Sequence, residues 1–171
     1  SVEATSSAGA AVSYDAATAT DIGDAAVTVT YSAASGSTFA IGTTTVTATA
    51  TDDSGNTATC SFNVTVVDTT SPAITCASAP ATAEATSSAG AAVTYGAASA
   101  TDTGDDSVAI TYSAASGSTF AIGTTAVTAT ATDDSGNTST CTFNVTVADT
   151  TSPAITCADD PASVEATSSA G

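Results

Sequence analysis

The phrase EATSSAG occurs three times in this chain, starting at Glu3, Glu84 and Glu165. Both intervals, 84 minus 3 and 165 minus 84, are 81 residues. The identity extends well beyond that phrase. TYSAASGSTFAIGTT stands at 30–44 and again at 111–125, and VTATATDDSGNT at 46–57 and again at 127–138. A period this strict constrains the fold more than any composition figure, because every unit must fold alike and successive units must meet end to end. Short repeats stack into solenoids with one shared core. A unit of 81 residues is instead long enough to be a small domain with a core of its own. The expectation is a slice of a periodic rod, two full periods followed by residues 163–171 of a third.

Inside a unit the apolar pattern has a period of two. In TTVTATAT, Val46, Ala48 and Ala50 alternate with Thr45, Thr47, Thr49 and Thr51; in CSFNVTV, Cys60, Phe62, Val64 and Val66 share one face while Ser61, Asn63 and Thr65 share the other. That is the alternation of a half-buried strand. Abundant Thr and Val, punctuated by Gly and Asp clusters, favour strands and turns as well. Large apolar residues never recur with a 3.6-residue period, so no helix is expected. Between the DTTSP phrases the unit reads as AITC (73–76), TAEAT (82–86), AAVTY (91–95), SVAITYSA (107–114), STFAI (118–122), TAVTATAT (125–132) and TSTCTFNVTVA (138–148). Seven short strands separated by turns spell an all-β fold, tandem Ig-like antiparallel β-sandwiches. The expected division is a unit at 1–67 that lacks its AITC strand, a linker at 68–72, a complete unit at 73–148, a linker at 149–153, and the first strands of a further unit at 154–171. Both linkers are short and contain proline, which aligns neighbouring units semi-rigidly.

Seventeen acidic residues face no Lys, Arg or His, giving a formal charge of −17. Nucleic acid is excluded as a partner, since that affinity comes from basic side chains that displace counterions. An anionic membrane surface is disfavoured for the same reason. No apolar run approaches the length of a membrane span, so no membrane insertion is expected in this segment.

Large side chains are few: the first unit has Tyr14, Tyr31, Phe39 and Phe62, some Val and Ile, and otherwise mostly Ala. A small domain with so thin a core needs a staple. Parity places Cys60, Cys76, Cys141 and Cys157 inward, beside Phe62, Ile74, Phe143 and Ile155. Three pairings are open to them. If a unit runs from one DTTSP to the next, Cys76 in its first strand joins Cys141 in its last, and Cys60 and Cys157 take partners in a neighbouring repeat or another chain. The rival pair, Cys60 with Cys76, requires a hairpin near Asp68 that would break the FNVTVV strand. Disulfides imply an oxidising location, hence extracellular or at the cell surface. The spare AITC at 154–157 could also complete the front unit of a second molecule by donor-strand complementation, bringing Cys157 to Cys60. A continuous tandem array makes the same contacts within one chain.

DTTSPAITC, EATSSAGA and above all GSTFAIGTTTVTATATDDSGNTATCSFNVTV resemble the hyalin repeat (HYR) family over essentially every residue of each period. The resemblance implies extracellular Ig-like sandwiches, often in tandem, in adhesion and matrix proteins and without enzymatic activity. Ser71-Pro72 stands where the family commonly has Pro-Pro, and Ala77 where it has Pro.

Two candidate sites follow from the residues. TDDSGN, at 51–56 and 132–137, supplies the hard oxygen donors that Ca2+ takes. It lacks the downstream Glu and flanking helices of an EF-hand, and an acidic hairpin turn is the ordinary alternative. In an Ig-like sandwich the loops at the end where the preceding domain arrives would gather Asp102, Asp105, Asp106, Asp133, Asp134 and Asn137 around the linker residue Asp68. Asp21, Asp24, Asp52, Asp53 and Asn56 are the corresponding set of the front unit, and Asp149 is the next linker's acid. Carboxylates crowded together repel unless a cation sits among them, so interdomain calcium is the expectation and a solvated acidic end the alternative. Asn63, Asn137 and Asn144 lie in sequons open to glycosylation, with a plain polar strand face as the alternative.

Catalysis has little to stand on, because no His or Lys is present to activate the Ser and Cys hydroxyls and thiols. The function expected is a non-catalytic structural repeat of an extracellular filament or cell-surface stalk, whose partners are copies of itself. The alternative is a calcium-dependent adhesin module binding a glycan or a protein. Near-identity of the units favours the first, since a spacer can be copied while a recognition surface is usually singular.

Overall fold

The computed structural model describes residues 1–23 and 26–159. Asp24 and the third-unit residues 160–171 lie outside the described residues. In chain order the strands are β1 (Val2–Glu3), β2 (Ala10–Ala11), β3 (Thr28–Tyr31), β4 (Thr38–Phe39), β5 (Gly42–Thr51), β6 (Thr57–Val67), β7 (Ala73–Thr75), β8 (Ala83–Glu84), β9 (Ala91–Ala92), β10 (Ser99–Thr101), β11 (Ala109–Tyr112), β12 (Thr119–Phe120), β13 (Gly123–Thr132) and β14 (Thr138–Ala148). No helix occurs among the described residues.

The period-two segments become the longest strands. TDDSGN closes them into a hairpin, running from Gly123↔Val147 to Thr132↔Thr138 in the second unit and from Gly42↔Val66 to Thr51↔Thr57 in the first. Gly136, at φ +88°, supplies the left-handed position that turn needs. The hairpin forms the centre of a four-stranded sheet, β11-β13-β14-β8 in the second unit and β1-β6-β5-β3 in the first. Short pairs, β9 with β12 and β2 with β4, lie across the core from it. The sandwich is not wholly antiparallel: β8 runs parallel to β14, and β1 to β6. Those edge pairs are two residues long, so the EAT phrase docks rather than extends the sheet.

Parity assigns the core correctly along the hairpins. Val127, Val145, Val147, Phe143 and Phe120 pack with Ala77, Ala91 and Val93 in the second unit, and Val46, Val64, Val66 and Phe39 with Ala4 and Ala10 in the first. Tyr95 stacks edge-on against Phe143 at 4.8 Å, and its hydroxyl donates to the Ala114 carbonyl. The Tyr112 hydroxyl accepts from the Ala98 N–H at 2.7 Å. Large phenol rings thus fill a core short of apolar volume while their polar tips find backbone partners.

The second unit has one strand that the alternation does not announce. β10 pairs antiparallel with β7, Ala100 opposite Ile74. Its counterpart in the first unit, residues 18–20, forms no strand, because no AITC segment lies beside it among the described residues. Residues 154–157, the second AITC, likewise take no strand conformation, and Ile155 is 89% exposed. The inward assignment of Cys60 and Cys157 is therefore corrected: both are exposed, since the strand that should cover the one and the sheet that should receive the other are not paired here.

Candidate functional site at the unit junction

The second unit shows what an AITC strand does when seated. β7 lies on β10 and against β14, Ala77 joins the core, and Cys76 forms a disulfide with Cys141 across a separation of 65 residues. Ala131 is sealed at 0% exposure, whereas its first-unit counterpart Ala50 is half-buried. In the first unit the same place is an open slot. Two adjoining clefts, about 380 and 200 Å³, are lined by Ala17, Thr18, Ala19, Ala50, Ala58 and Cys60, among others. Cys60 is the counterpart of Cys141, and Cys157 that of Cys76. Both are free.

The linker that carries β7 inward also carries Asp68. Its carboxylate reaches the end of the sandwich through a gap kept by Gly104, whose Cβ, if present, would stand 2.5 Å from Asp68 Oδ2. Asp68, Asp102 and Asp133 each bring a carboxylate oxygen within 4.8 Å of the others. Asp68 and Asp133 are only 8% and 5% exposed. Asn137 ties the group together: its backbone N–H and Nδ2 donate to Asp133, and Nδ2 also donates to the Asp68 carbonyl at 3.2 Å. Ser139 Oγ donates to the Pro72 carbonyl, fixing the linker on the same edge.

Of the other acids named from sequence, Asp105 and Asp134 meet on the rim, where Asp105 Oδ2 accepts the Asp134 N–H at 3.0 Å. With Asp106 they line an open cleft facing Ser7 and Ile41 of the first unit. Asp21, Asp52, Asp53 and Asn56 sit at the equivalent end of the first unit, with no linker seated on them among the described residues; Asp21 is exposed and Asp52 half-buried. Hydrogen bonds from Asn56, the side-chain amide foremost, hold the Asp52 carboxyl below its ordinary value. Asp149 is exposed beyond β14. Asn63 and Asn144 face solvent on the hairpins, whereas the Asn137 amide nitrogen is already committed to two hydrogen bonds.

A pair of clasps escaped the sequence reading. Glu84 grips the next linker: its carboxylate accepts from the Thr150 N–H and hydroxyl at 2.8 and 2.7 Å and from the Thr151 hydroxyl at 3.0 Å. Glu3 holds Thr69 and Thr70 in the same way. Both carboxyls are pulled below their usual range, Glu84 chiefly by the Thr150 hydroxyl and Glu3 chiefly by the Thr69 N–H. The signal was present as an E-A-T phrase recurring in step with D-T-T, but nothing in the alternation says that the two meet.

Fold, staple and junction together define the class: a tandem pair of small β-sandwich modules, the second closed by a first strand that arrives on a short linker carrying Asp68. The chain belongs to the HYR domain family, whose model matches it twice, at residues 2–66 and 67–147. HYR domains are repeat modules of extracellular and cell-surface proteins, a structural and adhesive type rather than a catalytic one. No curated protein matches the chain. No helix of the described residues is long and apolar enough to cross a membrane.

Proposed function

We propose that this chain is a non-catalytic structural repeat of an extracellular filament or stalk, in which each sandwich is closed by the AITC strand of the linker that enters it. One observation carries the reading: the same slot is filled and cross-linked in the second unit and open in the first. Periodicity makes the chain self-complementary, because residues 154–157 repeat the β7 segment and Cys157 repeats Cys76. Strand addition would satisfy the bare edge at residues 18–20 with main-chain hydrogen bonds and bury Ile155, while the Cys157–Cys60 cystine would lock the joint. The strand comes either from sequence preceding the open unit in a continuous chain or from a second copy; the chemistry of the joint is the same.

The test is oxidative assembly of this 171-residue chain. Under a glutathione redox buffer it should form a ladder on non-reducing gels and filaments of regular axial period by electron microscopy. Cys157→Ser should abolish the ladder. Cleavage at aspartate suits disulfide mapping, because Asp68 separates Cys60 from Cys76 and Asp149 separates Cys141 from Cys157, while the chain has no Lys or Arg for trypsin. A chain that stays monomeric with both thiols free would rule out exchange between copies. Native material without filaments would sink the structural reading as a whole.

A further inference from the structure

We propose that the junction between the units is a hard divalent-cation site, made for Ca2+ by Asp68, Asp102 and Asp133. An acidic cluster alone would not carry this. The second observation is that two of its oxygens are buried without a partner. Asp68 Oδ1 accepts the Thr70 N–H at 3.1 Å, but Oδ2 meets no donor, and Asp68 is 8% exposed. Asp102 Oδ2 accepts the Gly104 N–H at 2.7 Å, and again Oδ1 meets none. Buried carboxylate oxygens are ordinarily hydrogen-bonded, because desolvating an acceptor without replacing its partner is costly. Here both orphans belong to residues whose oxygens converge within 4.8 Å of each other and of Asp133. The chain offers no Lys, Arg or His to answer them.

The spacing admits Ca2+, since bonds of about 2.4 Å reach oxygens up to about 4.8 Å apart and the three donors lie within that limit. Mg2+ demands a near-ideal octahedron and sheds its water reluctantly, which three carboxylates on separate segments suit less well. Asn137 and the turn hold Asp133, β10 leads into Asp102, and the linker brings Asp68. The three ligands therefore come from three segments of chain, so the ion fixes the entry of the linker against the sandwich it enters. Gly104 is part of the device, since any larger residue there would displace the Asp68 carboxylate. The front unit is the internal comparison: Asp21 and Asp52 occupy the same places without an incoming acid, a half-site. Strand addition at the open slot would deliver Asp149 of the donor to it, but the site at Asp68 is complete within one chain and does not depend on assembly.

Calorimetric titration of the monomeric chain, with CaCl2 and MgCl2 as separate probes, tests this. The expected result is one Ca2+ per chain with Kd of about 0.1–1 mM, the range of extracellular calcium modules, and Mg2+ at least about tenfold weaker. Asp68→Asn and Gly104→Ala should each weaken Ca2+ at least about tenfold. Gly104→Ala is informative because it removes no carboxylate and acts only by pushing that of Asp68 aside. Asp15→Asn, at an exposed acid away from the junction, should bind as the parent does. Asp68→Asn removes one of three crowded charges, so in chelator its second unit should melt no lower than the parent's, which guards against a folding artefact. Absence of saturable Ca2+ binding up to about 10 mM would overturn the proposal. So would Asp68→Asn and Gly104→Ala variants that bind as tightly as the parent.

Discussion

Opening the Cys76–Cys141 cystine should weaken the second unit by an amount that can be worked out beforehand. The bond closes a loop with a sequence separation of 65 residues. Loop-closure entropy for that length gives about 4.3 kcal/mol at 25 °C. For a domain of this size each kcal/mol moves the melting temperature by about 4–8 °C, so the transition should fall by roughly 17–34 °C. The large value follows from position. The cystine ties the first strand of the unit to its last, so the unfolded chain it constrains is nearly the whole unit. What remains after reduction is three register pairs between β7 and β10, Ala77 in the core, the Ser139 and Asn137 bonds to the Pro72 and Asp68 carbonyls, and the Glu3 clasp on Thr69 and Thr70, none of which shortens the loop of the unfolded chain.

Differential scanning calorimetry of the chain should show two transitions, because each unit has its own core. Phe39, 3% exposed, lies only in the first, so Phe39→Ala identifies that transition by lowering it alone. A phosphine reductant, or the double variant Cys76→Ala/Cys141→Ala, should then lower the second transition and leave the first in place, since Cys60 is already free. A drop below about 5 °C would show that the loop constraint is not what holds the unit together. A parallel drop in both transitions would refute the assignment of the cystine to one unit.

The Glu84 clasp has a pH signature. Its carboxyl is held below its ordinary value of 4.5 by the Thr150 and Thr151 hydrogen bonds, so the stability it contributes is present in full above 4.5 and is lost as pH falls through the lower folded value. NMR should show the Thr150 amide moving upfield through that acid window, and Glu84→Gln should flatten the titration; the global melting temperature is the wrong readout, because acid also relieves repulsion among the remaining carboxylates. Two glycines of like φ separate conformational strain from collision. Gly136→Ala, with open space around it, should cost about 1–2 kcal/mol by urea denaturation. Gly90→Ala should cost at least twice that, since its Cβ would stand 1.8 Å from the Phe120 carbonyl oxygen and force β9 from β12.

Much of this molecule was legible because its information is local. The strict alternation in TTVTATAT and CSFNVTV fixes strand, face and hairpin at once, and Val46, Val64 and Val66 are buried where parity puts them. β10 was illegible because Ser-Ala-Thr has no pattern of its own; it is a strand only where β7 offers an edge. Cysteine parity misled at Cys60 for the same reason, as an inward direction buries a side chain only if something covers it. For the junction, topology points to the end of the sandwich where the linker arrives but not to which carboxylates meet there. That the Asp68, Asp102 and Asp133 carboxylates converge depends on Gly104 opening the way and on Asn137 turning inward, which no sequence pattern announces.

The two units amount to a controlled comparison, since nearly the same sequence occurs with and without a seated linker. Asp133 is buried and Asp52 only half-buried; Ala131 is sealed and Ala50 is not; Cys141 is bonded and Cys60 exposed. These differences sit on the face that the AITC strand and its linker cover, while the opposite core, Phe39 and Val46 against Phe120 and Val127, is the same in both. A unit therefore owes part of its stability to the linker that enters it, a nearest-neighbour dependence of the kind that governs repeat proteins. In a long array each added unit contributes a junction as well as a core, so stability per unit should climb towards a plateau with length. The unit whose slot stays open should be the first to melt, at whichever end of such an array it lies.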